Sequence, residues 1–444
     1  MTDFAKYIDA VNDTVIMRSV GHVTAIHDMV IESEGPRAVI GEVCNIFFPD
    51  SQKSVTAEVV AMSGSKLQLM AFDDFVGLEI GCDVVATGSV LSVPVGFSLL
   101  GRVLDGVGKP VDGLGEIAPE AYYPALSSPP PAYERPEISR RISTGIRAID
   151  GILTMGEGQR VGIFAGSGVG KSTLLSMIAR NTSADVNVIA LIGERGRELN
   201  DFLNRDLGPE GLKRSVIVVA TGDQPPLSKV RGAYTATAIA EFFRDRGKSV
   251  MLMVDSITRF AKAKREIGVV TGEPAVKGGY TPGVFSDMQR LLERAGTCKQ
   301  GAITAIYTVL VDGDDFDEPV SDTARGILDG HFVLSRELSE RAHYPAIDMQ
   351  HSISRLQNRI TGPQTKKARK VLVKNMAVYR ENADMINVGA YKKGASAEID
   401  AAIAMHPAID EFLQQEEDDK APYAETIAKL AAVSGVEIPE EEAL

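Results

Sequence analysis

Up to about Val93 the hydrophobic positions come in short β-branched runs, Ala38–Ile46, Val55–Met62, Lys66–Ala71 and Val84–Val90, cut by turn residues such as Ser63-Gly64-Ser65. Runs of this length and spacing predict a small β-barrel or sandwich. Ahead of them Phe4, Tyr7, Ile8 and Val11 fall at i, i+3, i+4 and i+7, the stripe of a short amphipathic helix. Two readings of that helix stand side by side: it packs on its own barrel, or it docks in a partner's groove from an exposed terminus.

Between Gly115 and Pro136 the prolines 124, 129, 130, 131 and 136 predict an extended connector over the surface. Beyond it the pattern changes. Apolar runs at Arg160–Phe164, Val186–Ile192, Ser215–Ala220, Ser249–Val254 and Ala302–Leu310 alternate with helical stretches such as Lys171–Arg180 and Ala233–Arg246. Continuous apolar strands alternating with helices predict a parallel sheet covered on both faces. From about Gln357 the chain turns helical, with Lys366–Tyr379, Ser396–Met405 and Tyr423–Ala432 as candidates, and the acidic clusters Glu416–Asp419 and Glu440–Glu442 read as solvated ends. The expected division is 1–92, 93–356 and 357–444.

Composition narrows the class of protein. Against 47 Lys+Arg stand 60 Asp+Glu, and the net charge of -13 makes nucleic acid a disfavoured partner. Apolar runs such as Val250–Val254 fall far short of the ~18 residues that span a bilayer. The opening Met-Thr-Asp-Phe-Ala-Lys has no signal-peptide pattern, which predicts a cytosolic protein. Cys44, Cys82 and Cys298 show no CxxC spacing and read as small buried hydrophobes.

The chemistry begins after Val161–Phe164, where Ala165-Gly166-Ser167-Gly168-Val169-Gly170-Lys171-Ser172-Thr173 leads into a helix. Strand, glycine-rich loop and helix let successive backbone N–H groups face anionic oxygens, Lys171 reach the β- and γ-phosphates of ATP, and the Ser172 hydroxyl ligate Mg²⁺. Ala165 replaces the usual first glycine, a small change that leaves Gly166, Gly168 and Gly170 in place. The run Met251–Val254 ends in Asp255, a second metal-site carboxylate on what is expected to be a neighbouring strand. Hydrolysis also needs a group to polarise water, and Glu194, directly after the strand Val186–Ile192, fits that place; the alternative is a loop Glu paired with Arg195 or Arg197.

The P-loop, Gly193-Glu194-Arg195-Gly196-Arg197-Glu198, Asp255-Ser256-Ile257-Thr258-Arg259 and Pro345–Arg355 together resemble the rotary F/V-type ATPase catalytic core. Within that family the wording is most similar to the flagellum-specific ATPases of the type III export apparatus, above all across Asp312–Arg355. The resemblance covers nearly the whole chain and implies an α/β fold, a RecA-like P-loop NTPase core between a small N-terminal β-barrel and a C-terminal helical domain. It makes Glu194 the water-activating carboxylate, with Lys171, Arg195 and Arg259 beside it, and Asp255 the magnesium's acid. Arg355 matches an arginine finger that reaches the neighbouring subunit's γ-phosphate. Tyr344 matches an aromatic that packs on adenine, with Tyr391 as a second wall, although by itself Tyr344 reads as a core aromatic. Glu194 and Arg355 on one chain imply a homo-oligomer with a complete site at each interface, a hexamer by the family's number. Gly278–Phe285 departs from the family's Gly-Tyr-Pro-Pro pattern at Thr281 and Gly283.

The implied partners are a stator-like regulator on the N-terminal helix, a coiled-coil stalk protein in the ring's centre, export chaperones, and the membrane export gate beneath which the protein would gather peripherally. A virulence injectisome ATPase would share every catalytic residue. An ATP synthase subunit and an RNA-translocating ring helicase remain as further alternatives, the last resting on Lys366, Lys367, Arg369, Lys370 and Lys374, which read more simply as a solvated helix face.

Overall fold

The computed structural model of the chain describes residues 19–49, 53–311 and 316–443. The stripe Phe4–Val11 and the segment 312–315 lie outside the described residues.

The early β-branched runs close into a barrel. Its strands are β1 (Val20–His27), β2 (Val30–Glu34), β3 (Glu42–Phe47), β4 (Ser54–Ser63), β5 (Lys66–Ala71) and β6 (Asp83–Val90), joined antiparallel in the order β1-β2-β5-β4-β3-β6. Val23, Ile31, Ile46, Val59, Leu69 and Val84 fill its interior, and closure leaves no unpaired edge. The sequence reading missed β1 and β2 because His22, Thr24, Glu32 and Ser33 dilute their apolar pattern.

The central sheet runs β14-β13-β8-β12-β11-β9-β10-β7. These are β7 (Val103–Asp105), β8 (Arg160–Ala165), β9 (Val186–Ile192), β10 (Ser215–Ala220), β11 (Ser249–Asp255), β12 (Ala302–Leu310), β13 (Gly330–Leu334) and β14 (Ile347–Ser354). All pairings along this path are parallel except that of β14, which runs antiparallel to β13 at one edge. Alternation within the strands feeds two cores. Val188, Val218 and Leu252 face helices α3 (Pro226–Asp245), α4 (Ile257–Val270) and α5 (Pro282–Glu293), whereas Ile189, Ile217 and Met253 face α1 (Arg147–Ile152), α2 (Lys171–Asn181) and the C-terminal helices. A helix α6 (Pro319–Ile327) packs on the first of these faces.

Helices α7 (Pro363–Asn387), α8 (Ala397–Leu413) and α9 (Tyr423–Ser434) pack on α1 through Leu372, Phe412, Ile427 and Leu430. At about 1.5–3 kcal/mol per fully buried large apolar side chain, this shared core outweighs the exposed ion pairs around it, worth about 0–1 kcal/mol each. Lys367, Lys370 and Lys374 are exposed on α7, while Lys366 and Arg369 are half-buried.

Several expectations change. The connector is tied down: Ala121–Pro124 pairs with Ser92–Val95, and fully buried Arg294 donates to the Ala125 carbonyl at 2.5 Å while holding Glu241 at 2.6 and 2.9 Å. Cys44 and Cys82 are buried but Cys298 is half-exposed. Glu442 is not a solvated end; its carboxylate accepts the Gln364 and Thr365 amides at 3.1 and 2.8 Å and caps α7. In the divergent loop Thr281 is buried, and the missing side chain at Gly283 admits the Glu273 carboxylate, which accepts the Gly283 amide at 3.3 Å.

The barrel is fixed to the sheet layer by α3. Arg231 donates through Nε to Glu58 Oε2 at 2.7 Å, with a second bond between Nη2 and Oε1, and Ser228 donates to the Phe72 carbonyl. Both charges are buried.

Candidate active site

The site forms where parallel strands end at one edge of the sheet. From Ala165, at the end of β8, the loop Gly166–Gly170 turns back into α2, whose first turn carries Lys171, Ser172 and Thr173. Gly170 sits at φ 93°, a left-handed conformation that side chains resist, and α2 has no side-chain cap, so its leading N–H groups face outward for an anion. Val169 is buried and anchors the loop in the core, whereas Ser167 and Ser172 are exposed. The ring of Tyr344 lies 3.6 Å from where a Gly170 Cβ would stand. Tyr344 is thus 44% exposed against the phosphate loop rather than in the core.

Lys171 gathers two carboxylates. Its Nζ is 2.5 Å from Asp255 Oδ1, at the end of β11, and 3.6 Å from Glu194 Oε1, just past the end of β9. Asp255 is not on the neighbouring strand, as the sequence led us to expect, because β12 runs between β8 and β11. That intervening strand supplies a residue the sequence reading missed: Thr308, fully buried, donates to Asp255 Oδ1 at 2.7 Å. A hydroxyl inside the apolar run Ala302–Leu310 was the signal that could have found it, since a buried polar group needs a partner.

Glu194 is held in a shape only its neighbour permits. Gly193 adopts φ 71°, and a Cβ there would meet Arg259 Cδ at 2.6 Å, so glycine lets Arg259 close over the carboxylate. Arg259 Nε lies 3.4 Å from Glu194 Oε1, and both atoms are buried without a hydrogen-bond partner. Burial, then the charge of Asp255, pushes the Glu194 carboxyl up to about 7, against the pull of Lys171 and Arg259. A carboxyl poised there can take a proton from water near neutrality.

Other candidates fall elsewhere. Arg195 is exposed, with Glu198 at 4.0 Å as its loose ion-pair partner. The Tyr391 hydroxyl bonds to the Ser396 carbonyl and the Asp400 carboxylate, both at 3.0 Å, in the C-terminal helical layer. Arg355 follows β14, whose Ser354 pairs with Gly330 at the start of β13, while His331 pairs with Gly162 of β8. It therefore stands at the edge where β8 begins, about five strand residues or ~16 Å from the edge where the P-loop begins. Exposed there, it donates from Nη2 to the Arg325 carbonyl at 3.1 Å.

The donor set suits Mg²⁺ carried on a triphosphate. Among the described residues no cluster of three or more His, Cys, Asp or Glu forms a metal cage. The oxygens at this edge include the Ser172 hydroxyl and the carboxylates of Asp255 and Glu194, and one hydroxyl with one carboxylate is enough for a magnesium ion that retains phosphate and water ligands.

Comparison with known proteins places the chain. The nucleotide-binding domain of the ATP synthase alpha/beta family matches residues 145–354, its beta-barrel domain residues 23–88, and the T3SS EscN ATPase C-terminal domain residues 361–432. The flagellum-specific ATP synthase of Treponema pallidum is 54% identical over 98% of this chain and 97% of its own. The chain belongs to the flagellar and type 3 secretion ATPases of the ATP synthase alpha/beta family. A type 3 secretion system ATPase of Xanthomonas euvesicatoria is 45% identical over 94% of each chain. The assembled ATPase EscN of the enteropathogenic E. coli type III secretion system superposes with a TM-score of 0.88 at 43% identity, covering 93% of this chain and 100% of that one. The same ATPase in complex with its central stalk EscO gives 0.87 at 42% identity over the same shares. The barrel, P-loop sheet and helical layer of this ATPase are those of its family.

Proposed function

We propose that this ATPase hydrolyses Mg-ATP in a homohexameric ring and so assists flagellar type III protein export. The observation that carries the reading is the convergence of Lys171, Asp255 and Glu194 from three strand ends on one point at the mouth of the P-loop. Identity is higher to the flagellar relative, at 54%, than to the secretion-system ATPase, at 45%, which favours the flagellar branch.

The amides of Gly166–Gly170 and the start of α2 bind the phosphates, Lys171 leaves Asp255 for the β- and γ-oxygens, and Tyr344 supports the adenine. Ser172 and Asp255 would hold Mg²⁺, which when bound would offset charge on the phosphate oxygens. Glu194 orients water in line with the γ-phosphorus and accepts its proton, with Arg259 holding the carboxylate. Arg355, at the opposite sheet edge of its own chain, serves the site of the next subunit. The proposed domain borders remain 92/93 and 356/357, the first inside the strand Ser92–Val95 and the second just past β14.

By the same reading a central stalk protein sits in the ring, as the EscO complex illustrates for EscN. Chaperones, a regulator on the N-terminal segment and the membrane export gate complete the assembly. No helix among the described residues is long and apolar enough to cross a membrane, in keeping with peripheral recruitment from the cytoplasm.

Specific ATPase activity should rise with protein concentration as rings assemble. Glu194→Gln should bind ATP with near wild-type affinity yet lose turnover about 100-fold or more. Wild-type turnover in that variant would remove Glu194 from its role.

A further inference from the structure

Tyr344 is half-exposed, yet its main chain is held from a different layer of the molecule. In the turn that follows α8, the Gln415 N–H donates to the Tyr344 carbonyl at 2.8 Å. The Gln415 side chain is 4% exposed and fully engaged. Its Oε1 accepts the Arg147 N–H at 3.0 Å, and its Nε2 donates to the Gly145 and Asp419 carbonyls at 2.9 and 3.1 Å. Arg147 closes the clamp, donating from Nε to the Phe412 carbonyl at 3.0 Å and from Nη2 to the Gln414 carbonyl. A satisfied buried amide of this kind fixes a single turn geometry, because any shift would strand several polar groups at once. The hydroxyl of Tyr344 adds only an exposed contact, to Ser339 at 3.0 Å.

We propose that Gln415 is the positioning residue of the base pocket: through the turn it locks, the C-terminal helices hold Tyr344 against the phosphate loop and set affinity for the adenosine part of ATP. The inference rests on the reading of Tyr344 as the adenine support. It separates two halves of the site. Lys171, Asp255 and Glu194 are placed by β8, β9, β11 and Thr308, so the triphosphate half does not depend on Gln415.

The test compares binding of ATP with binding of inorganic tripolyphosphate, alongside steady-state kinetics, in wild type, Gln415→Ala, Tyr344→Ala and the double variant. Gln415→Ala should raise KM for ATP about tenfold, leave kcat within about twofold, and leave tripolyphosphate affinity unchanged. Its effect should largely vanish in the Tyr344→Ala background. Should the alanine variant not fold, Gln415→Glu keeps the acceptor toward Arg147 but loses the donor to Gly145 and Asp419, and the same split is expected at smaller amplitude. Gln415 variants with unaltered KM beside a weakened Tyr344→Ala would overturn this inference alone. Unchanged ATP binding in Tyr344→Ala would overturn the adenine reading and the inference with it. Equal losses for ATP and tripolyphosphate, or a parallel fall in kcat, would mark Gln415 as merely structural and overturn the proposal.

Discussion

Among single residues Glu194 matters most to the proposed mechanism, in which its uptake of a proton from water is what distinguishes hydrolysis from binding. With the carboxyl pushed up to about 7, it is protonated and idle as a base below that pH, so kcat/KM should rise with pH through about 7 and then level off. Arg259 lowers that value, so Arg259→Gln should move the acid limb to higher pH, and a pH–rate profile with an unmoved limb would contradict the contact. The same shift has a stability cost. The folded carboxyl holds its proton more tightly than the unfolded chain does, so its contribution is fully present below the ordinary value of 4.5 and is lost as pH rises through about 7. Thr308 offers a second check: Thr308→Val keeps the shape but removes the donor to Asp255, and should lower unfolding free energy by about 1–3 kcal/mol in urea titration. Chemistry-bearing residues were legible in the sequence where a motif encloses them, as with Lys171, Asp255 and Glu194. Thr308 was not, because its role depends on which strands lie side by side, and strand order is a long-range property of the sheet.

Among the elements, α3 joins barrel to catalytic layer through Arg231 and Glu58, two buried charges that satisfy each other. Removing one leaves the other desolvated without a partner, so Arg231→Ala should destabilise the protein by about 3–5 kcal/mol, measured by denaturant unfolding. Replacing both with apolar residues of similar volume should recover most of that loss, and a double variant as unstable as the single one would show that the pair is not the source. Strands β8 to β12 could be read from continuous apolar runs, since burial on both faces leaves no need for alternation, whereas the three-residue edge strand β7 was missed. The strands β13 and β14 were recognised only as motifs: Gly330–Leu334 is short, and the edge strand Ile347–Ser354 alternates too irregularly, with Gln350 and His351 both exposed. The connector was misjudged for a related reason. Its prolines advertise extension, but the buried Arg294–Ala125 contact that pins it depends on a helix far along the chain.

Taken as a molecule, the chain holds the P-loop and Arg355 at opposite ends of the strands of one sheet. Neither edge of a single copy can complete the other, since ~16 Å of strand separates Arg355 from the P-loop. A closed ring of identical copies, as proposed, would resolve this by repeating one heterologous contact. The architecture was legible in the sequence through the resemblance of its motifs, whereas the opposition of the two edges needed the antiparallel turn of β14 to become visible. The most direct test mixes two inactive proteins. Arg355→Ala subunits keep an intact Glu194, and Glu194→Gln subunits keep an intact finger, so hybrid rings should regain ATPase activity with a maximum near equal proportions. Activity that stays at the level of the separate variants at every ratio would contradict action of Arg355 across the subunit boundary.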